Sequence, residues 1–360
     1  MKLTLSNLYC VILVIAGLSA SCKKITDADI KETGTEVLNG IVGPVPPYTW
    51  QELDIPGQRI NYPFNRPWSN DIIAPAGGTY FLWTGMENER VFRFNKTQLR
   101  WEAHPGWKVP GDLLIQHKVL FKYDSKVYYS FDNYFDTDFH VLDPIAGTNT
   151  NLAAFPDPDS IGYYPNTFVV GDNGYIFFDM NDGYWKYNFP TNTWTRLGQN
   201  PFRDRRKITI VVANGKAYAG LGYTVMSLNG SNYAHYRRDW VEFNPETGAT
   251  VAKAQFPFYV SGSNESCVIG DNIYVGFGKT TLSGAPTVWN YNLYKYDISA
   301  NRWSECTDWP GLQLTPSSVY DGWSQTNMTM FSLGSSVYVT SGGIYQFYRY
   351  SNSQIIVGTN

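Results

Sequence analysis

Apolar and polar positions alternate along this chain in short β-type runs rather than at helical spacing. Val337-Tyr338-Val339-Thr340 and Ile273-Tyr274-Val275-Gly276, fenced by Gly, Asn, Asp or Ser, predict short strands. A Tyr marks such a run six times, at Tyr80, Tyr128, Tyr175, Tyr218, Tyr274 and Tyr338. Each is followed by an aromatic or apolar pair around one variable residue that closes on Asn, Asp or Ser. These phrases are Phe92-Arg93-Phe94-Asn95, His140-Val141-Leu142-Asp143, Trp185-Lys186-Tyr187-Asn188, Val241-Glu242-Phe243-Asn244, Tyr294-Lys295-Tyr296-Asp297 and Tyr348-Arg349-Tyr350-Ser351. Their polar anchors recur every 45 to 56 residues. A period of that size means one supersecondary unit per repeat, none of which buries its apolar face alone.

Each repeat divides into four strands. Strand A is a β-rich run such as Thr167-Phe168-Val169-Val170, Ile208 to Val212, or Cys267-Val268-Ile269; B carries the Tyr and C ends at the anchor. D carries a Trp six residues after the anchor in three repeats, at Trp101, Trp194 and Trp303. A Gly-ended B strand, an aromatic C strand closing on Asp or Asn, and a Trp opening D resemble the kelch repeat over roughly residues 47–360. The family's double glycine survives as Gly342-Gly343. The resemblance implies an all-β fold, a six-bladed kelch-type β-propeller with four antiparallel strands per blade.

Trp50 opens a D-like phrase of its own, yet Pro44 stands where its anchor would be. An orphan D strand is what a ring needs if an N-terminal strand closes the last blade and removes the open edge. Trp50 is therefore assigned to blade 6 beside Tyr348 to Tyr350, with the tail from Gln354 to Thr359 competing for that slot.

The N-terminus is built differently. Lys2, an apolar run from Leu8 to Leu18, and Ser19-Ala20-Ser21-Cys22 make a secretory signal too short to span a bilayer as a helix. Cys22 resembles the lipidated cysteine of the bacterial lipobox, with Ser19 where Leu is usual. The expected organisation is a signal at 1–21, a lipidated Cys22 and flexible tether at 22–46, and the propeller at 47–360. It implies a cell-envelope lipoprotein held to the outer membrane through Cys22, on a side the sequence leaves open, and acceptable as a monomer.

Composition fits an exported, folded domain. With 43% hydrophobic and 16% charged residues the chain is too apolar for disorder. Loss of residues 1–21 removes one Lys and no acid, taking the formal charge from -3 to -4, and nothing in the sequence suggests nucleic acid, which would require a clustered basic surface. Past the signal and Cys22, the cysteines are Cys267 on strand A and Cys306 on strand D of blade 5. Three strand spacings put them roughly 14 Å apart, beyond the roughly 7 Å a disulfide allows, so two buried thiols are expected.

Function is expected where B-C and D-A connections emerge. From the B-strand Tyr to the anchor the count is 15, 15, 13, 26, 23 and 13, so blades 4 and 5 carry the long loops. The candidate ligand-binding residues are His235, Tyr236, Arg237, Arg238, Trp289 and Tyr291 in these B-C loops, Arg203, Arg205, Arg206, Tyr259, Asn264 and Glu265 in the D-A connections entering blades 4 and 5, and Asp321 and Trp323 in the connection from blade 5 to blade 6. Aromatic faces with Arg, Asn and acids suit a sugar, whose CH face stacks while its hydroxyls hydrogen-bond. The histidines lack metal-ligand spacing, and Asp132, Asp136 and Asp138 lack the glycine and glutamate of a calcium loop. No phosphate loop or hydrolase motif occurs. The sequence thus predicts a module that binds a carbohydrate or a protein partner, without metal or cofactor. The alternative is a sugar mutarotase resembling sialate mutarotase, with Glu265 as acid-base group beside Arg237 or Arg206. A copper oxidase resembling galactose oxidase is disfavoured, because both cysteines are assigned to strands.

Overall fold

The computed structural model describes residues 35–38, 41–44, 49–53, 74–76, 79–84, 90–95, 100–108, 118–130, 137–143, 146–160, 165–178, 182–228, 231–257, 265–276, 279–281, 287–289, 292–306, 328–333, 336–341 and 354–359. They form a propeller-like all-β fold containing six four-stranded antiparallel sheets. In chain order the strands A to D of sheet 1 are Ala74–Ala76, Thr79–Thr84, Arg90–Asn95 and Arg100–Lys108; of sheet 2, Lys118–Tyr123, Lys126–Ser130, Phe139–Asp143 and Thr148–Asn151. Sheet 3 has Pro165–Val170, Asn173–Phe178, Gly183–Asn188 and Thr193–Gln199, and sheet 4 has Thr209–Ala213, Lys216–Gly220, Trp240–Phe243 and Thr250–Ala252. Sheet 5 has Glu265–Ile269, Asn272–Gly276, Leu293–Asp297 and Arg302–Glu305. All six expected Tyr-bearing B strands are present, as are the three Trp-bearing D strands.

Sheet 6 keeps the expected partnership but changes one member. Its order is Met328–Leu333, Ser336–Ser341, Gln354–Thr359 and Thr49–Leu53, with Trp50 opposite Gly358. The Trp50 strand does lie outermost there, but its neighbour is the tail, not Tyr348 to Tyr350, which lie outside the described residues. The tail's Ile355-Ile356-Val357 is a continuous β-branched run of the kind that favours strands. A second difference falls in the expected tether, where Thr35–Leu38 pairs with Ile41–Pro44 and lies beside Arg302–Glu305.

The A strands lie side by side in chain order from sheet 1 to sheet 6, and in sheets 3 and 4 burial is greatest in the B strands and least in the D strands. In sheet 4 alternate residues of A are buried, B is buried from Ala217 to Gly220, and D is exposed. This is why B strands read as near-continuous apolar runs while D strands are polar.

Aromatic clusters fill the seams between sheets 2 and 3, 3 and 4, and 4 and 5. Two seams share one hydrogen-bonded clasp. Trp194 Nε1 donates to the Ala153 carbonyl (2.9 Å), while Asn192 Oδ1 accepts from the Ala153 amide (2.8 Å) and the Tyr187 hydroxyl (2.6 Å). Trp303, Asn301 and Tyr296 repeat this on Ala254 at 2.9, 2.9 and 2.7 Å. Both asparagines have positive φ, 51° and 49°, which their short amides tolerate. Sheet 4 has Phe243, Gly248 and Thr250 at the corresponding places. Its seam with sheet 3 uses Glu246 instead, which accepts from the Tyr175 hydroxyl (2.5 Å) and Lys186 Nζ (2.9 Å), while Tyr184 donates to the Pro245 carbonyl (2.7 Å).

Cys267 and Cys306 are buried thiols, in the A strand and just after the D strand of sheet 5.

Candidate functional site

The long connections of sheets 4 and 5 are themselves β-structure. In sheet 4, Tyr223–Leu228 pairs antiparallel with Ser231–Tyr236, and Arg205–Arg206, from the connection entering the sheet, adds a third strand opposite Thr224 and Tyr223. In sheet 5, Lys279–Thr281 pairs with Thr287–Trp289. Two neighbouring sheets thus each insert an extra hairpin between strands B and C.

The root of the first hairpin is set by close backbone approach. A Cβ on Gly220 would sit 2.1 Å from the Asp239 carbonyl oxygen, and one on Gly222, whose φ is +74°, 2.5 Å from that of Arg206. Only glycine meets both demands. Between them Leu221, fully buried with φ of 60°, donates its amide to the Asp239 carbonyl (3.2 Å), and the Arg237 amide donates to the Gly222 carbonyl (2.9 Å).

Side chains complete the root. Arg205, 8% exposed, donates from Nη1 and Nη2 to the two Asp239 carboxylate oxygens at 3.0 and 2.7 Å, with the Phe202 ring 5.6 Å beneath its guanidinium. Such a bidentate fork fixes orientation as well as charge. Its Nε is buried without a hydrogen-bond partner among the described residues, Asp204 standing 3.8 Å away. Arg238 Nε donates to the Phe256 carbonyl (2.7 Å), and Arg203 lies 3.5 Å from Asp182.

The structure therefore divides the expected site residues. Arg205 and Tyr236 are buried, Tyr236 meeting Tyr223 edge to face at 5.9 Å, and Arg238 is engaged in the root. The Arg205 and Arg238 guanidinium groups hydrogen-bond within the root, to Asp239 and to the Phe256 carbonyl. Arg203, Arg206 and His235 are exposed, and Arg237 is partly exposed, 3.8 Å from Asp239. Glu265 begins strand A of sheet 5, opposite Gly276, and Trp289 ends the second hairpin opposite Lys279, rather than lying in loops. Tyr259, Asn264, Tyr291, Asp321, Trp323 and Cys22 lie outside the described residues. Residues that sequence reasoning did not single out are Asp239, which gathers Arg205 and Arg237, and Val225 and Met226, 36% and 52% exposed on the hairpin. The available signal was an uncharged run broken by Asn229-Gly230, a hairpin-turn pair.

No family model matches the chain, and no curated protein matches it. Among solved structures 373 chains match. One, described as "Structure of YjhT", superposes with a TM-score of 0.44 at 19% identity, covering 62% of this chain and 72% of that one. A likeness of that size carries no functional argument, so the site is read from its own residues.

Proposed function

We propose that this protein is an exported, lipid-anchored binding module: a closed six-bladed kelch-type propeller, tethered through Cys22, that takes a carbohydrate or a protein partner at the end carrying the two extra hairpins. The observation that supports this reading is the rooted hairpin of sheet 4. A bidentate ion pair, a buried Leu and two obligatory glycines hold in place a hairpin that the four-stranded sheet does not need. A rigid root beneath an exposed, partly apolar hairpin is the arrangement of a presented recognition element.

The test replaces Thr224–His235 with a two-residue turn and compares both proteins on a glycan array and a random-peptide display library. Binding by wild type that disappears in a variant of unchanged melting temperature is the expected result. Equal binding by both moves function away from this hairpin. Palmitate labelling of the cell-borne protein, lost in Cys22→Ser, checks the anchor.

A further inference from the structure

The hairpin of sheet 4 has an open edge, and its chemistry is unusual for an open edge. In the order Arg205–Arg206, Tyr223–Leu228, Ser231–Tyr236, the last strand has no outer neighbour among the described residues. The Arg237 amide bonds to the Gly222 carbonyl, which sets the phase of the ladder. Antiparallel pairs alternate between bonded and non-bonded, so Thr224 with His235 and Met226 with Tyr233 are the bonded pairs, and the amides of Asn232 and Ala234 point outward.

Natural edges are blunted with charges, prolines or brevity. Residues 223–236 contain no Asp, Glu, Lys, Arg or Pro in 14 positions, where a chain with 16% charged residues would place about two charges. Val225, Met226, Ala234 and His235 are exposed. The other edge of the hairpin already accepts an added strand, the two residues Arg205–Arg206. Among the described residues of the root, Arg203, Arg205, Arg206, Lys207, Arg237 and Arg238 outnumber Asp182, Asp204 and Asp239, in a chain of net charge -3. Arg237 and Arg238 follow the outer strand directly and are partly exposed, while Arg206 is exposed on the opposite edge.

We propose that the outer edge of Ser231–Tyr236 is a strand-addition site that takes an extended segment of a protein partner, uncharged along the hairpin and acidic where it reaches the arginine-rich root. Main-chain bonds to Asn232 and Ala234 supply affinity, and side chains on alternate positions supply selectivity. The proposal rests on the hairpin end being the binding end, and it chooses a peptide over a sugar.

The test pans the mature protein with a random dodecapeptide display library and measures enriched peptides by fluorescence polarisation. Expected are peptides alternating β-branched or aromatic residues with polar ones and carrying Asp or Glu near one end. Ala234→Pro removes an outward amide that the hairpin ladder does not use, a place where an edge strand tolerates proline, and should weaken binding at least tenfold. Peptides N-methylated at alternate residues should lose a similar factor on wild type. Equal affinity of Ala234→Pro, folded by near-ultraviolet circular dichroism, overturns the proposal; if that variant does not fold, unchanged affinity of the N-methylated peptides does so. Enrichment of no peptide beside a glycan signal lost on removing the hairpin overturns strand addition and leaves the binding-module reading standing. Silence on both probes sinks both.

Discussion

Arg205 and Arg206 are adjacent arginines in one short strand, and the fold gives them opposite tasks. Arg205 is buried in a two-pronged grip on Asp239; Arg206 faces outward. Residue type made both candidate ligand contacts, and nothing local distinguishes them, because the counter-charge comes from 34 positions away. Removing that counter-charge tests the assignment. Asp239→Asn leaves a buried guanidinium uncompensated, which costs about 3–5 kcal/mol for fully buried pairs. Since the Asp239 side chain is 34% exposed, the lower end of that range is expected in urea denaturation. The double variant Arg205→Met with Asp239→Leu should recover most of the loss, because it removes both charges while keeping the volume. A cost below about 0.5 kcal/mol for Asp239→Asn would mean that Arg205 is solvated and available to ligand after all.

At the scale of strands and turns, the sequence was legible wherever a repeat forces a side chain into a seam. Trp194 and Trp303 are legible from their spacing because each must reach the carbonyl of the preceding unit; Asn192 and Asn301, two residues earlier, complete the same clasp but read first as turn formers. The sheet 4 hairpin is harder to see in the sequence, because the aromatic and basic residues from Tyr223 to Arg238 mask two runs about Asn229-Gly230. Asn39-Gly40 hid the Thr35–Leu38 hairpin in the same way. The departure of sheet 4 from the clasp has a measurable consequence. Burial opposes ionisation of Glu246, but hydrogen bonds from Tyr175 and Lys186, and the Lys186 charge, outweigh it and hold the carboxyl below its ordinary 4.5. A carboxyl lowered on folding stabilises the fold above its unfolded pKa and loses that contribution as pH falls through the folded value. The Glu246 side chain is 47% exposed, so the effect stays within about 1 kcal/mol. The urea midpoints of wild type and Glu246→Gln should therefore differ by a constant amount at pH 6 to 7 and converge below about pH 4.5. Asn301→Ala strands the Tyr296 hydroxyl and the Ala254 amide, a loss of about 1–3 kcal/mol that should stay flat over the same range.

For the whole molecule, the last sheet decides whether the six units form a ring or an open stack. Gln354–Thr359 is bonded on one side to Ser336–Ser341 and on the other to Thr49–Leu53, so a strand that precedes sheet 1 in the chain belongs to sheet 6. In an open stack each unit is stabilised by its nearest neighbours, and loss of a strand from the last unit is felt there and in sheet 5, whose Glu265–Ile269 lies beside Met328–Leu333. In a closed ring the last unit also supports the first, and its loss opens edges at two places at once. A chain ending at Ser353 removes the strand between Ser336–Ser341 and Thr49–Leu53 and leaves Thr49–Leu53 without its partner. Hydrogen exchange of this variant, strand by strand, separates the cases. Closure predicts that amides of Thr79–Thr84 and Arg90–Asn95 in sheet 1 lose protection together with those of Asn272–Gly276 in sheet 5, while Asn173–Phe178, farthest from the cut in either direction, keeps the most. Protection lost in sheets 5 and 6 and unchanged in sheet 1 would make the fold an open stack, because no path but a direct contact between the last and first units carries the damage forward to the start of the chain.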